Sequence, residues 1–345
     1  MNETNQRYDV VVIGGGAAGL SGALALARAR RSVLVIDGGR PRNAPASHVH
    51  NYLGREGTPP SELLAIGRAE AADYGAEIVR GDVVSAAKEA DGYRVVREDG
   101  GVVEARRLLV TTGLVDELPA VDGLAGRWGR EVLHCPYCHG WEVRDRAVGI
   151  LAVNPMAVHQ ALLWRQWSDD VVLFRHDRAD FTDEEYERLA ARDISVVDGE
   201  VAGLEVTGDR LTGVRLAGGT VIPREALVVA PRFTARSAVL EGLGLRPTPM
   251  EIGGQVVGTY IAADPAGATE VPGVWVAGNV ANLMEQVVGA AAAGLKSASM
   301  INMDLVEEDT RRAVEARRTP FSAEAERQVT ERVLGDRRHG LQETR

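Results

Sequence analysis

Cysteine is almost missing from this chain: 345 residues hold two, Cys135 and Cys138. So small a supply excludes a disulfide framework of the extracellular kind and argues against a four-ligand zinc site, which needs a second pair. His134 and His139 stand too near both cysteines in sequence to complete a tetrahedron easily, so no metal is expected. No apolar run reaches the roughly 18 residues that cross a bilayer, and the first eight residues carry no apolar stretch of the secretory type. Lys and Arg number 39 against 49 Asp and Glu, form no basic block and leave a formal net charge of −10, so neither nucleic acid nor an anionic membrane is an expected partner. No solenoid period and no low-complexity segment interrupts the chain. These absences together describe a cytoplasmic enzyme with small neutral or cationic partners.

What the chain does have is glycine, 39 residues of it, and a hydrophobic content of 45 %, enough for two α/β domains with many tight turns. The two cysteines fall three apart, in His134-Cys135-Pro136-Tyr137-Cys138-His139-Gly140-Trp141. A Cys-x-x-Cys at a helix start lets the sulfurs bridge across one turn, and the helix N-terminus favours the thiolate. In a cytoplasmic protein such a pair is a redox dithiol before it is a structural one. The competing readings are half a zinc site or two inert core thiols.

The remaining motifs say what exchanges electrons with the pair. A buried parallel strand is expected over 8–13, and Gly14-Gly15-Gly16-Ala17-Ala18-Gly19 follows at once, opening a helix over 20–30. Gly14 permits the turn, Gly16 lets backbone N–H groups approach a pyrophosphate, and Gly19 lets helix and strand lie close. The next strand, 32–36, ends in Asp37, where a carboxylate accepts ribose hydroxyls. A long polar loop follows, running through Arg42 and Asn51, then a helix over 61–74, a strand over 77–80, a hairpin turning at Asp91-Gly92, and a strand over 108–111 ending in Thr112-Gly113.

The segment 147–153 resembles the first strand of a second dinucleotide fold. Where its glycines belong stand Ala152 and Asn154, Pro155 removes an N–H donor, and Arg175-His176-Asp177 puts an acid where a 2'-phosphate needs cations. This second site is expected to be eroded. A last strand over 271–277 runs into Gly278-Asn279 and a helix over 285–304, as if the first domain were resumed. A charged tail follows, with one helix over 322–334.

The order of these motifs resembles the low-molecular-weight thioredoxin reductases over residues 8 to about 303. The sequence Cys-Pro-Tyr-Cys-His-Gly-Trp-Glu and the replacement of Asp by Asn in Ala-Gly-Asn-Val look most like the FAD-dependent dithiol oxidases that close disulfides in natural products such as gliotoxin and holomycin. The resemblance implies an α/β fold of two Rossmann-like domains of the three-layer ββα kind. An FAD domain would comprise 1–115 and 244–304, with a redox-disulfide domain over 116–243 inserted into it and a charged tail at 305–345. It further implies a homodimer. FAD would be held by Gly14, Gly16, Ala18, Gly19, Asp37, Arg42, Asn51, Thr112, Gly113, Gly278, Asn279, Gln286 and Val287. Cys135 would receive the substrate thiol, Cys138 would face the flavin, and His139 would act as base in place of the family's usual Asp acid, with His134 as a possible helper. The expected reaction forms a disulfide in a small-molecule dithiol, with O2 as acceptor and H2O2 as product. Two rivals stay open on the residues alone: an NAD(P)H-dependent thioredoxin or disulfide reductase, and a non-enzymatic flavin redox sensor.

Overall fold

Val10, Val11, Val12 and Ile13 are each 3 % exposed or less. Four consecutive β-branched residues with no polar face make a strand buried on both sides, the signature of a central strand in a parallel sheet. In the computed structural model, which describes residues 6–178, 180–318 and 323–334, β1 (Gln6–Ile13) lies between β2 (Val33–Asp37) and β6 (Val102–Val110), parallel to both. β3 (Glu77–Arg80) extends the sheet beyond β2. The hairpin of β4 (Val83–Glu89) and β5 (Gly92–Arg97) continues it antiparallel beyond β6, and β19 (Val274–Val276) pairs with β6 in parallel. The core of this sheet draws on Val11, Ile36 and Leu108 and equally on Leu240, Ile261 and Val276.

Helix α1 (Ala17–Arg28) starts three residues earlier than the sequence pattern suggests, because Gly16 is its extended N-cap and Ala17 and Ala18 are strong helix formers. Helix α2 (Pro60–Asp73) packs beside it. The strand expected over 108–111 begins earlier, at Val102, since pairing with β5 rather than burial defines its first half.

A second, fully parallel sheet has the order β11 (Ser195–Val197), β10 (Val171–Phe174), β9 (Val148–Leu151), β15 (Ala226–Val229), β8 (Val132–Leu133). Between β8 and β9 runs the one-turn helix α3 (Pro136–His139), and α4 (Ala157–Trp164) and α5 (Asp183–Ala190) join the next strands. A Thr182 capping box opens α5, with Thr182 Oγ1 accepting from Glu185 N at 3.2 Å and Glu185 reaching back to Thr182 N at 2.8 Å. An antiparallel sheet of β12 (Val201–Thr207), β13 (Arg210–Leu216) and β14 (Val221–Ile222) follows.

A fourth sheet was not foreseen: β17 (Pro247–Ile252), β18 (Gln255–Ile261), β16 (Arg232–Ala235) and β7 (Leu114–Glu117). Its strands are short, carry prolines and turn through Gly253-Gly254, so little periodicity marks them. Helix α6 (Ala238–Glu241) connects β16 to β17.

The described residues divide into two compact units, the second beginning at Met300. Helix α7 (Val287–Arg318) runs fourteen residues past its expected end at 304. The Glu308–Arg312 pair at 2.6 Å and the Arg317-Arg318 ending support the added turns. Helix α8 (Ala323–Leu334) falls on the expected tail helix, whose first residue, 322, lies outside the described residues. Among the described residues no helix is long and apolar enough to cross a membrane.

Candidate active site

One cleft of about 1840 Å³ is bordered by both nucleotide-type turns and by the cysteines. Gly14, Gly16, Ala18, Asp37, Arg42, Thr112, Gly113, Gly278, Asn279, Gln286 and Val287 line it, together with His134, Cys135, Cys138 and His139. Gly19 and Asn51 are not among the lining residues.

The reason for Gly19 is packing: a Cβ there would stand 1.9 Å from the Gly14 carbonyl oxygen. Gly14 holds φ +106°, a conformation that side chains resist, and Thr111 Oγ1 donates to its carbonyl at 2.8 Å. At Gly16 no protein atom lies within 4 Å of the Cβ position, so the backbone there faces clear space at the head of α1. Gly15 is the one glycine of the turn with no role in the motif. A Cβ on it would fall 2.6 Å from Asp37 Cγ, so glycine is what lets the Asp37 carboxylate lie against the turn. Asp37 Oδ1 also accepts from Gly39 N at 3.1 Å. An open N–H cradle at a helix start, with a carboxylate one strand over, fits a dinucleotide's pyrophosphate and ribose, and the residues present fit FAD.

Cys135 is the extended N-cap of α3 and Pro136 its first residue, where a missing N–H costs nothing. Both cysteines are half-buried free thiols. Cys138 donates its S–H to Cys135, and with the N–H groups of Cys138 and Tyr137 this brings Cys135 down to about 7 despite burial. Cys138 is pushed the other way by the same bond and by burial. The helix dipole expected to activate the pair is thus a lesser matter in a one-turn helix: the neighbouring thiol leads, and two local N–H groups add to it. Gly140 lets the turn close on the Trp167 indole, since a Cβ there would sit 2.8 Å from the ring.

His139 lies below the ordinary histidine value because burial disfavours the imidazolium, with Glu142 acting against that shift and His50 with it. His134 is lowered chiefly by burial as well. Its Nδ1 lies 3.2 Å from the Val229 carbonyl, which assigns the proton there, and its ring meets Phe233 edge-on with centroids 5.1 Å apart. Each imidazole is neutral at pH 7 and able to accept a proton.

Arg42 reaches the cleft, but its fork is engaged. Nε and Nη2 donate to the two Asp116 oxygens at 2.8 and 2.6 Å, the guanidinium lies over Phe233, and Nη1 points to Asn279 Oδ1 at 3.5 Å. Asn279 Nδ2 donates to the carbonyls of Asn282 at 3.1 Å and Glu285 at 3.0 Å. A carboxylate at 279 could not make those bonds, so the departure from Asp secures the turn that leads to Gln286 and Val287. Thr112 Oγ1 donates to Arg236 O at 2.7 Å, tying that crossing to β16. Asn51, at φ +60°, donates from Nδ2 to the Tyr137 carbonyl at 2.6 Å and so holds the cysteine segment. Asp116, Phe233 and His50 are the participants that sequence reasoning missed. Only the length of the loop after Asp37 hinted at any of them.

At the second nucleotide-type turn, Ala152 is fully buried and the Asn154 side chain is used locally, accepting from Met156 N at 2.9 Å and donating to Ala230 O at 3.3 Å. Pro155 packs against the β17–β18 turn, where a Cβ on Gly253 would come within 3.2 Å of its ring. Arg175 is paired with Asp198 at 2.6 Å, and His176 Nδ1 accepts from Val201 N at 3.0 Å.

A Rossmann-type cradle and a Cys-x-x-Cys opening on one cleft define a flavin-linked disulfide oxidoreductase. Comparison with known proteins agrees: residues 8–294 match the model for the pyridine nucleotide-disulphide oxidoreductase family, and the chain belongs to that family. It is a thioredoxin reductase-like flavoprotein that binds FAD and acts on dithiols or disulfides. It is 30 % identical over 317 residues to thioredoxin reductase tcpT of Claviceps purpurea (strain 20.1), covering 88 % of this chain and 96 % of that one. Thioredoxin reductase sirT of Leptosphaeria maculans is 30 % identical over 325 residues, with 88 % and 95 % covered. Among solved structures, that of HlmI superposes with a TM-score of 0.83 at 46 % identity, covering 92 % of this chain and 98 % of that one.

Proposed function

We propose that the protein is a dithiol oxidase, which forms an intramolecular disulfide in a small-molecule, natural-product dithiol through Cys135 and Cys138, with O2 as electron acceptor and H2O2 as product. The observation that carries this reading is the occupied second turn: Asn154 and Pro155 spend on their own fold the positions a nicotinamide dinucleotide needs. The relatives named thioredoxin reductase favour the rival, an NAD(P)H-dependent reductase of the same chemistry run backwards.

Gly14, Gly16, Ala18 and Gly19 with Asp37 would hold the dinucleotide half of FAD. Thr112, Gly113, Gly278, Asn279, Gln286 and Val287 would border its flavin half, and Arg42 and Asn51 would brace the surrounding loops. Residues 1–115 and 244–304 then serve as the FAD domain and 116–243 as the redox insert, with 305–345 as a tail. The working form is a cytoplasmic homodimer. The chemistry FAD supplies when bound is two-electron oxidation of the reduced cysteine pair, the electrons leaving to O2.

His139 takes the proton of the entering thiol, and His134, its Nδ1 held by Val229, supports the site around it. The substrate thiolate attacks Cys135 Sγ, the Cys135–Cys138 bond breaks, and Cys138 leaves as thiolate. The second substrate thiol gives its proton to the Cys138 thiolate, whose thiol form the Cys135 bond and burial favour, and attacks the sulfur joined to Cys135, closing the ring. Cys135 departs with a stabilised charge, which a value near 7 makes easy. The substrate loses two electrons and the enzyme's disulfide gains them.

The test is an anaerobic titration. Bleaching of the flavin by a small dithiol alone, followed on admitting air by one H2O2 per disulfide closed, is the expected result. Bleaching by NADPH or NADH within a second or so would return the chain to the reductases, and bleaching by neither reagent on a catalytic timescale would mark a sensor.

A further inference from the structure

The loop between β2 and α2 ends in a buckle. Glu56 Oε1 lies 2.6 Å from His50 Nδ1, and Glu56 Oε2 accepts from Asn51 N at 2.8 Å. On its other edge His50 Nε2 is 3.3 Å from Glu142 Oε1, on the turn just past α3. Asn51 Nδ2 adds its bond to the Tyr137 carbonyl at 2.6 Å. Two consecutive loop residues thus grip the cysteine segment on either side of His139. The His50 side chain is 20 % exposed, whereas Glu56 is 65 % exposed and reaches solvent. An exposed carboxylate gains little from a lone surface pair. A carboxylate, imidazole, carboxylate row between two separate elements serves to hold geometry.

We propose that His50 is a positioning residue for the proposed dithiol reaction: buckled by Glu56, it fixes the Glu142 carboxylate beside His139, where that charge steadies the imidazolium formed when His139 takes the substrate proton. The groups facing His50 are Glu56, Glu142 and, with ring centroids 6.0 Å apart, His48. Those acting on His139 are Glu142, which favours its charged form, and His50, which opposes it less strongly. The sign of the effect follows. Releasing Glu142 by removing His50 takes away the larger, favourable influence along with the smaller, unfavourable one, so His139 titrates at lower pH. Asp and Glu elsewhere in the cleft do not enter this balance.

The role as base rests on the oxidase reading, but the titration of His139 does not, so the two fail separately. The measurement is the pH titration of the His139 ring by NMR in the flavin-loaded protein, with His139→Gln to assign the resonance. His50→Gln and Glu142→Gln are each expected to lower the midpoint by about half a pH unit, the scale of one screened charge. The double variant should fall no further than Glu142→Gln alone, since His50 acts through Glu142. Retention of bound flavin and an unchanged far-UV spectrum report that each variant folds. An unmoved or raised midpoint in His50→Gln, or additive shifts in the double variant, overturns the proposal. If the shifts appear while no dithiol bleaches the flavin of the unaltered protein, the buckle stands and the oxidase reading falls.

Discussion

Arg42 and Asp116 meet in a bidentate pair, Nε to Oδ2 at 2.8 Å and Nη2 to Oδ1 at 2.6 Å, with the Asp116 side chain only 9 % exposed. That pairing holds the guanidinium over Phe233, which also meets the His134 ring edge-on, and places a fixed positive charge that lowers both Cys135 and Cys138. A residue expected to serve the cofactor therefore also acts on the dithiol.

Arg42→Met should accordingly make the reduced pair less acidic, moving the midpoint of Cys135 alkylation upward by roughly half a unit to one unit. Asp116→Asn removes the partner and keeps the cation. It should lower stability by about 1–3 kcal/mol, as an uncompensated charge-assisted pair does, while leaving the cysteines at least as acidic. Denaturant melts and iodoacetamide rates against pH separate the two variants. Equal alkylation midpoints in Arg42→Met and the unaltered protein would remove Arg42 from the redox site.

The Cys135 thiolate carries its own prediction. Since the Cys138 S–H leads its stabilisation, reduced protein should alkylate first at Cys135 with a midpoint of about 7. In Cys138→Ala that donor is gone and the midpoint should rise toward the ordinary thiol range of about 8.5. Peptide mapping after brief iodoacetamide treatment identifies the labelled sulfur, and preferential labelling of Cys138 would invert the assignment.

A Cys138→Ser variant should stay yellow, because the cradle at Gly14, Gly16 and Gly19 shares no bond with the cysteine turn, yet it should lose dithiol turnover by at least about a hundredfold, the usual scale for removing a reacting group. Turnover near that of the unaltered protein would show that the disulfide lies off the path.

Much of this site is legible in the sequence. The Gly14 to Gly19 turn, Asp37 and the Cys135–Cys138 spacing are local patterns whose physics acts within a few residues, and all of them border or support one cleft. The partners of Arg42 and His50 were not legible. Asp116 is 74 residues from Arg42, and Glu142 is 92 from His50. Only the fold brings such pairs together. The sheet of β7, β16, β17 and β18 was hidden for a related reason: its strands are held by pairing across long sequence gaps, and their own alternation is faint. Conversely, reading Asn279 as a cofactor contact missed its use of Nδ2 on the 282–285 turn, since a hydrogen bond to backbone leaves no trace in a motif.

Restoring glycines at the second nucleotide turn should not restore nicotinamide chemistry. Ala152→Gly, Asn154→Gly and Pro155→Ala together recover a small-residue turn and one N–H donor. Other obstacles remain. The β17–β18 turn at Gly253 still packs over the position, Arg175 remains drawn to Asp198, His176 still accepts from Val201 N, and the exposed Asp177 still opposes a 2'-phosphate. Loss of the Asn154 bonds to Met156 N and Ala230 O also loosens the start of α4, for about 1 kcal/mol per bond. The triple variant is therefore expected to bind FAD, to turn over dithiol with O2, and to show no flavin bleaching by NADPH under argon. NADH is tried alongside, because Asp177 can accept from an unphosphorylated ribose. Bleaching by either nucleotide within seconds would mean that Ala152, Asn154 and Pro155 alone closed the site, and that the hairpin and the committed Arg175 do not.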